Sequence, residues 1–302
     1  MIAALIIAAG KTAEKDGFSP QKEVGAIPAI ERIVLLFQRA GLDRVVIVCD
    51  DNEDETKKLA AYLNVIFLHH RKDTEMLDSV KTGLAYLQDK CTAAMITHTD
   101  VPMFSVDTLY ALMAAQGQIC IPSYHGSQGH PILLQAAVFQ SVLSYTGEGG
   151  LAGAIRASDL QRSLIEVEDE GILSHVDNES SYSHLLAGHS LRHSYPDVRI
   201  RIRREKSFYS PEAHQLMQVI DETGSVREAC RRIGISYGKG RMILALMEQQ
   251  LGYLVIESQQ GGSKGGSSVL TDRGRSFMEK YAAFCLAANQ STQELFSRYF
   301  DD

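Results

Sequence analysis

Asp100 closes an apolar run in Thr97-His98-Thr99-Asp100-Val101-Pro102. A carboxylate at the end of a buried strand is a hard oxygen donor, suited to Mg²⁺ held jointly with triphosphate oxygens rather than in an all-protein cage. Asp177, beyond the acidic stretch from Glu166 to Glu170, could supply a second carboxylate to the same ion. The first apolar run ends in Ala8-Ala9-Gly10-Lys11 and continues into a polar loop with Gly17, Pro20 and Lys22. Small residues there leave backbone amides open to phosphate oxygens, and lysines neutralise phosphate charge. Taken alone, Ala8-Ala9-Gly10 reads equally as a strand ending in a turn. Gly129-His130-Pro131-Ile132 leads into another strand, with His130 expected to shape an acceptor pocket rather than to act as a base.

Other chemistries find less support. There is neither a Walker A motif nor a GxGxxG, because Gly238-Lys239-Gly240 lacks the following Ser or Thr. Ser127, in Gly126-Ser127-Gln128-Gly129, does not sit in a nucleophile elbow. His69, His70 and the five cysteines show no metal-ligand spacing and are expected to be ordinary core or surface residues. An odd number of widely spaced cysteines in apolar surroundings argues against a disulfide frame and for a reducing, cytoplasmic setting. The run from Ile2 to Ala9 is too short to span a bilayer.

The elements that must position these residues alternate. Apolar strands at Ala3 to Ala8, Arg44 to Cys49, Val65 to Leu68 and Ala93 to Thr97 are interleaved with helices at Ala29 to Ala40, Glu53 to Leu63 and Ser79 to Gln88. Continuous Val/Ile/Leu strands separated by amphipathic helices predict an α/β, Rossmann-like, mostly parallel sheet with ligands at the carboxyl ends of its strands. Further strands are expected at Gln118 to Ile121, Ile132 to Leu134 and Leu164 to Val167. With 302 residues the chain has room for about two domains. The first is placed at 1–189, a polar linker containing Pro196 at 190–197, and the second at 198–302.

In this order the motifs resemble the MobA-like molybdenum cofactor nucleotidyltransferases, and most of all their cytidylyltransferase branch. The residues that carry the likeness are Ala8-Ala9-Gly10, Lys22, Asp78-Ser79-Val80-Lys81-Thr82-Gly83-Leu84, Asp100-Val101-Pro102, Gly129-His130-Pro131 and Asp177. The resemblance implies that Ala8 to Gly10 and Ser79 hold the base and ribose. Lys22 would hold the phosphates, and Asp100 and Asp177 the magnesium. It also implies CTP or GTP as donor, a molybdopterin-type acceptor and pyrophosphate as product. Where that family carries an arginine and a methionine around the triphosphate, this chain has Ala13-Glu14-Lys15-Asp16. A carboxylate facing triphosphate is repulsive by about 1 kcal/mol in water and several times that in a drier site. Two alternatives therefore stand: an active transferase in which Lys11 or Lys15 compensates, or a weakened one that senses nucleotide or pterin.

The tract from Thr223 to Arg275 predicts an α+β winged helix-turn-helix. Ser225 caps a short helix, Gly234 ends it, and Ser236 caps a longer one reaching about Gln250. Two strands then flank Gly261-Gly262-Ser263-Lys264-Gly265-Gly266. These residues, with Asp221-Glu222-Thr223-Gly224-Ser225 and Leu270-Thr271-Asp272-Arg273-Gly274-Arg275, resemble the DNA-binding domain of ModE-type regulators over roughly Val198 to Phe284. No molybdate-binding domain is expected after it. The resemblance implies binding of double-stranded DNA through Ser236, Tyr237, Lys239, Arg241 and Lys264. Gly238 and Gly240 inside the second helix are each expected to cost about 1 kcal/mol relative to Ala. The final helix carries Phe277, Tyr281, Cys285, Ala288, Leu295 and Phe296 on one stripe, which predicts a homodimer. The formal net charge is -7, with acid concentrated before Pro196 and base after it.

Overall fold

The computed structural model describes residues 1–9, 21–50, 63–70, 75–158, 160–176, 179–189, 194–259 and 267–300. They fall into two compact units, 1–193 and 194–302. The expected helix at Glu53 to Leu63 lies almost wholly outside the described residues.

The first unit follows the alternating pattern. Its elements run β1 (Ile2–Ile7), β2 (Glu23–Val24), β3 (Ile27–Pro28), α1 (Ala29–Arg39), β4 (Val45–Asp50), β5 (Ile66–His70), α2 (Met76–Leu87), β6 (Ala93–His98), α3 (Val106–Ala114), β7 (Ile119–Tyr124), β8 (Ser127–Gln128), β9 (Ile132–Gln135), α4 (Ala136–Ser144), α5 (Gly150–Ala157), β10 (Arg162–Glu166), a 3-10 turn at Glu170–Leu173 and α6 (Glu179–Tyr182). The sheet order is β10-β7-β9-β6-β1-β4-β5, with β8 on β7. All pairings are parallel except those of β9 and β8. The sheet is thus the mixed, mostly parallel kind that the continuous apolar strands predict.

Strand alternation assigns the two faces. Ala4, Ile6 and Ala8 of β1 join Ile30, Ile33, Val34 and Phe37 of α1 in one buried cluster. α1 forms because those residues recur at helical spacing, with Glu31 in the first turn and Arg39 in the last complementing the helix dipole. On the opposite face Leu5 meets α2 at Gly83, where a Cβ would lie 2.3 Å from Leu5 Cδ1. Only glycine allows α2 to pack this close to the central strand.

The second unit contains β11 (Ile202–Arg203), β12 (Ser207–Tyr209), α7 (Pro211–Thr223), α8 (Val226–Arg232), α9 (Tyr237–Leu251), β13 (Ile256–Gln259), β14 (Ser267–Leu270) and α10 (Asp272–Phe300). The starts of α8 and α9 are those the caps predict, and Ser210 caps α7, a helix not expected from the sequence. Ser210, Ser225 and Ser236 accept hydrogen bonds from the backbone amides of Ala213, Glu228 and Lys239. β13 and β14 pair antiparallel, from Ile256 opposite Leu270 to Gln259 opposite Ser267.

One expectation is corrected within this unit and another gains a packing reason. α9 is continuous, and Gly240 is needed in it for contact: a Cβ there would lie 2.2 Å from Cys230 Sγ, so the missing side chain lets α8 and α9 touch. The stripe on α10 is also divided. Phe277 and Tyr281 pack on Tyr209 with ring centroids 4.9 and 4.7 Å apart, and the Tyr281 hydroxyl donates to Ile200 O at 2.8 Å. That half of the stripe is core of the unit, whereas Leu295, Tyr299 and Phe300 are exposed.

Candidate active site

The carboxyl ends of β1, β4, β5 and β6 lie on one edge of the sheet, and the residues singled out from the sequence gather there. Ala8 and Ala9 are buried where β1 ends, with Ala8 N donating to Val48 O at 2.9 Å. Gly10 and Lys11, the next two residues, lie outside the described residues, as do Asp177, Lys264 and the Ala13-Glu14-Lys15-Asp16 segment.

Asp100 sits just past β6. Its Oδ2 is 3.0 Å from His175 Nδ1, while its Oδ1 is buried with no hydrogen-bond partner among the described residues. The backbone of Val176 returns to the same place: its N–H donates to Asp100 O at 2.9 Å. Its carbonyl accepts from Lys22 Nζ at 2.5 Å. Lys22 and Asp100, 78 residues apart in the chain, are therefore joined through the backbone of one residue, and the residue that follows it in sequence is Asp177.

His130 is placed by a relay that begins at Asp169. One Asp169 oxygen accepts from Ser105 N at 2.7 Å and Thr108 Oγ1 at 2.5 Å, and the other from Gly171 N at 2.9 Å, fixing the 3-10 turn. Ile172 O of that turn accepts from His130 N at 3.0 Å. Gly129 is required beside it, since a Cβ would lie 2.4 Å from the same carbonyl oxygen. The His130 ring meets His98 edge to face at 4.7 Å, and the Nδ1 atoms of both rings are buried without partners among the described residues.

Burial lowers the pKa of His98, and it depresses His130 to about 3, so both imidazoles are neutral near pH 7. For Asp100, burial raises the pKa, but the His175 hydrogen bond together with the nearby imidazoles outweighs it and holds the carboxyl below its ordinary value. Asp100 is thus an ionised carboxylate with one oxygen tied and the other bare, a donor that suits a divalent cation. Among the described residues no group of three or more His, Cys, Asp or Glu could hold a metal by itself.

Ser79, in the first turn of α2, is fully buried, and its Oγ has no partner among the described residues. His98 and His175 were not singled out from the sequence. His98 gave one signal, a polar residue closing an otherwise apolar strand, whereas nothing local marks His175 as the neighbour of a residue 75 positions earlier.

Residues 4–164 match the MobA-like NTP transferase domain family. The chain belongs to that family. The fold agrees with solved structures at low identity. An Rv0371c homologue from Mycobacterium sp. strain JC1 superposes with a TM-score of 0.52 at 19% identity, over 63% of this chain and 97% of that one. A nucleotidyl transferase from Methanothermobacter thermautotrophicus gives 0.53 at 18%, over 62% and 99%. A 4-diphosphocytidyl-2C-methyl-D-erythritol synthase from Anaerococcus prevotii gives 0.51 at 14%, over 64% and 99%. No curated protein matches the chain. No helix among the described residues is long and apolar enough to cross a membrane.

In the second unit Ser236 caps α9, Tyr237 is 47% exposed beneath the Arg227 guanidinium, and Arg241 is exposed. Lys239 is engaged by Glu212 at 2.6 Å. Both of those side chains are solvent-exposed, so the pair is a weak hold that a phosphate could displace.

Proposed function

We propose that the first unit transfers a nucleotidyl group from CTP or GTP to a molybdopterin-type phosphate monoester in a magnesium-dependent reaction. The observation that carries this reading is the buried Oδ1 of ionised Asp100, which has no partner among the described residues, on a residue whose backbone is joined to Lys22 through Val176. An acceptor phosphate oxygen would bond to the α-phosphorus as the α–β anhydride bond breaks and pyrophosphate leaves. Bound Mg²⁺ would neutralise charge on the transferring group, with Asp100 and Asp177 as its protein ligands. Mn²⁺ is a second candidate ion, since an Rv0371c structure was solved in complex with manganese. Lys22 would exchange its backbone partner for a phosphate oxygen, His130 and Gly129 would border the acceptor, and Ala8, Ala9, Gly10, Lys11 and Ser79 would take the nucleotide. Incubation with CTP or GTP, Mg²⁺ and molybdopterin should release pyrophosphate; no release with either nucleotide would refute transferase activity.

The second unit, in this reading, is a ModE-type winged helix-turn-helix that binds double-stranded DNA as a homodimer in the cytoplasm. α8 and α9 form the helix pair, β13 and β14 the wing, and Ser236, Tyr237, Lys239, Arg241 and Lys264 the contacts. Exposed Leu295, Tyr299 and Phe300 on α10 support self-association. Glu14, which follows β1 in sequence, favours a second reading in which the first unit senses nucleotide or pterin without turnover. That version requires operator affinity to change with ligand, and equal affinity with and without ligand would remove it.

A further inference from the structure

His70 ends β5 on the face of the sheet that packs against α2. Its Nδ1 lies 2.8 Å from Thr82 Oγ1, and that hydroxyl donates its single proton to Asp78 O at 2.9 Å. When the Thr82 hydroxyl gives its proton to that carbonyl it can only accept from a third group, and the His70 proton then sits on Nδ1. Nε2, on the far side of the ring from Thr82, is left in the neutral imidazole with a lone pair alone. That atom is buried and has no partner among the described residues.

The position of this lone pair matters. Met95 of β6 packs in the α1-side cluster, so by alternation His98 lies on the α2 face, as does His70. The strand order β6-β1-β4-β5 puts three spacings, about 14 Å, between the Asp100 flank and the His70 flank. That is of the order of the reach of an extended nucleotide. With phosphates at Asp100 and Lys22, the base extends past the end of β1 towards α2, where the buried Ser79 hydroxyl also has no partner among the described residues.

We propose that His70, held as the Nδ1–H tautomer by Thr82, reads the nucleobase edge and selects a base presenting an amino group, cytosine over uracil. The assignment rests on the nucleotide site of the preceding section. Cytosine N4–H₂ donates to a lone pair, whereas uracil O4 sets an acceptor against an acceptor and leaves both unpaired. Buried mispairing of that kind costs enough for about tenfold discrimination or more.

The test is calorimetric binding of non-hydrolysable CTP and UTP analogues to the full chain with Mg²⁺, which needs no turnover. The wild type should prefer the CTP analogue at least tenfold. His70→Phe should still bind but bring the ratio to within about twofold of unity. Thr82→Val should reduce the ratio and shift the His70 ¹⁵N signals away from the Nδ1–H pattern, and Thr82→Ser should restore both. Equal wild-type affinities, or a ratio unchanged in folded His70→Phe, overturn the role of His70 while leaving the nucleotide site standing. Binding of no nucleotide at all overturns both.

Discussion

Two sets of buried histidines in the first unit differ in one respect. His189 is 5% exposed with both ring nitrogens engaged, Nδ1 by Arg32 Nη1 at 3.2 Å and Nε2 by Phe104 O at 3.2 Å. His98 and His130 are likewise held neutral by burial, yet the buried Nδ1 of each, like the Oδ1 of neighbouring Asp100, has no partner among the described residues. A histidine that only ties the chain together has its hydrogen bonds supplied by the fold, because a buried unpaired polar atom costs about 1–3 kcal/mol. Where the fold leaves three such atoms together, a ligand is the natural partner. The lesson is that burial and a depressed pKa do not mark a functional histidine, and missing partners do.

The largest effect is expected at Asp100. Asp100→Asn removes the charge but keeps the shape, so pyrophosphate release should fall about a hundredfold or more while the melting temperature changes little. A large loss of stability with activity retained would put Asp100 in the same class as His189. Next comes Gly129→Ala, whose Cβ must push against Ile172 O. Overpacking should lower unfolding free energy by about 1–3 kcal/mol in urea titrations, with His130 displaced; an unchanged midpoint would show that the 3-10 turn yields freely.

The pH dependence separates the two sets further. Burial and the Arg32 charge depress His189 to about 4 from its ordinary 6.5. The unfolded chain therefore binds the proton first as pH falls, and the neutral form stabilises the fold fully above about 6.5. That contribution is lost between 6.5 and 4. His189→Gln should flatten the stability profile in that window by about one proton's slope. His130 and His214 leave a residual slope there, because they too are depressed, to about 3 and about 4. A slope unaltered by His189→Gln would mean that the Arg32–His189 contact does not set it. The smallest effect is expected in the second unit, where Arg241→Ala or Lys239→Ala should weaken duplex DNA binding similarly for all sequences and reduce the log–log salt slope by about 1. A salt slope unaffected by both substitutions would exclude α9 as the phosphate-contacting helix.

Much of the fold was legible in the residues. Ile2 to Ile7, Val45 to Asp50 and Ala93 to His98 are near-continuous apolar runs because both faces of a parallel sheet are covered. The serine caps at 225 and 236 mark helix starts because a side-chain oxygen must satisfy an amide the helix cannot. α4 was not separable from β9, since Gln135-Ala136 follows the apolar strand with no Gly, Pro or capping residue to punctuate it. α2 begins at Met76 rather than Ser79, which moves Ser79 from the expected first residue of the helix to a buried position at the end of its first turn. Within the site, Asp100, Lys22 and Gly129 could be found from type and context, whereas His175 and His98 could not be tied to them.

By itself the sequence determined which strands would be buried, where the helices of the second unit begin, and that a carboxylate would stand at the end of β6. These are local properties, written in periodicity and in single capping residues. Tertiary structure alone decided that Lys22 and Asp100 both bond to the backbone of Val176, that His98 faces His130, and that His70 meets Thr82. Each of those is a contact across 12 to 154 residues, and such contacts exist only once the sheet order has brought distant strand ends to a common edge.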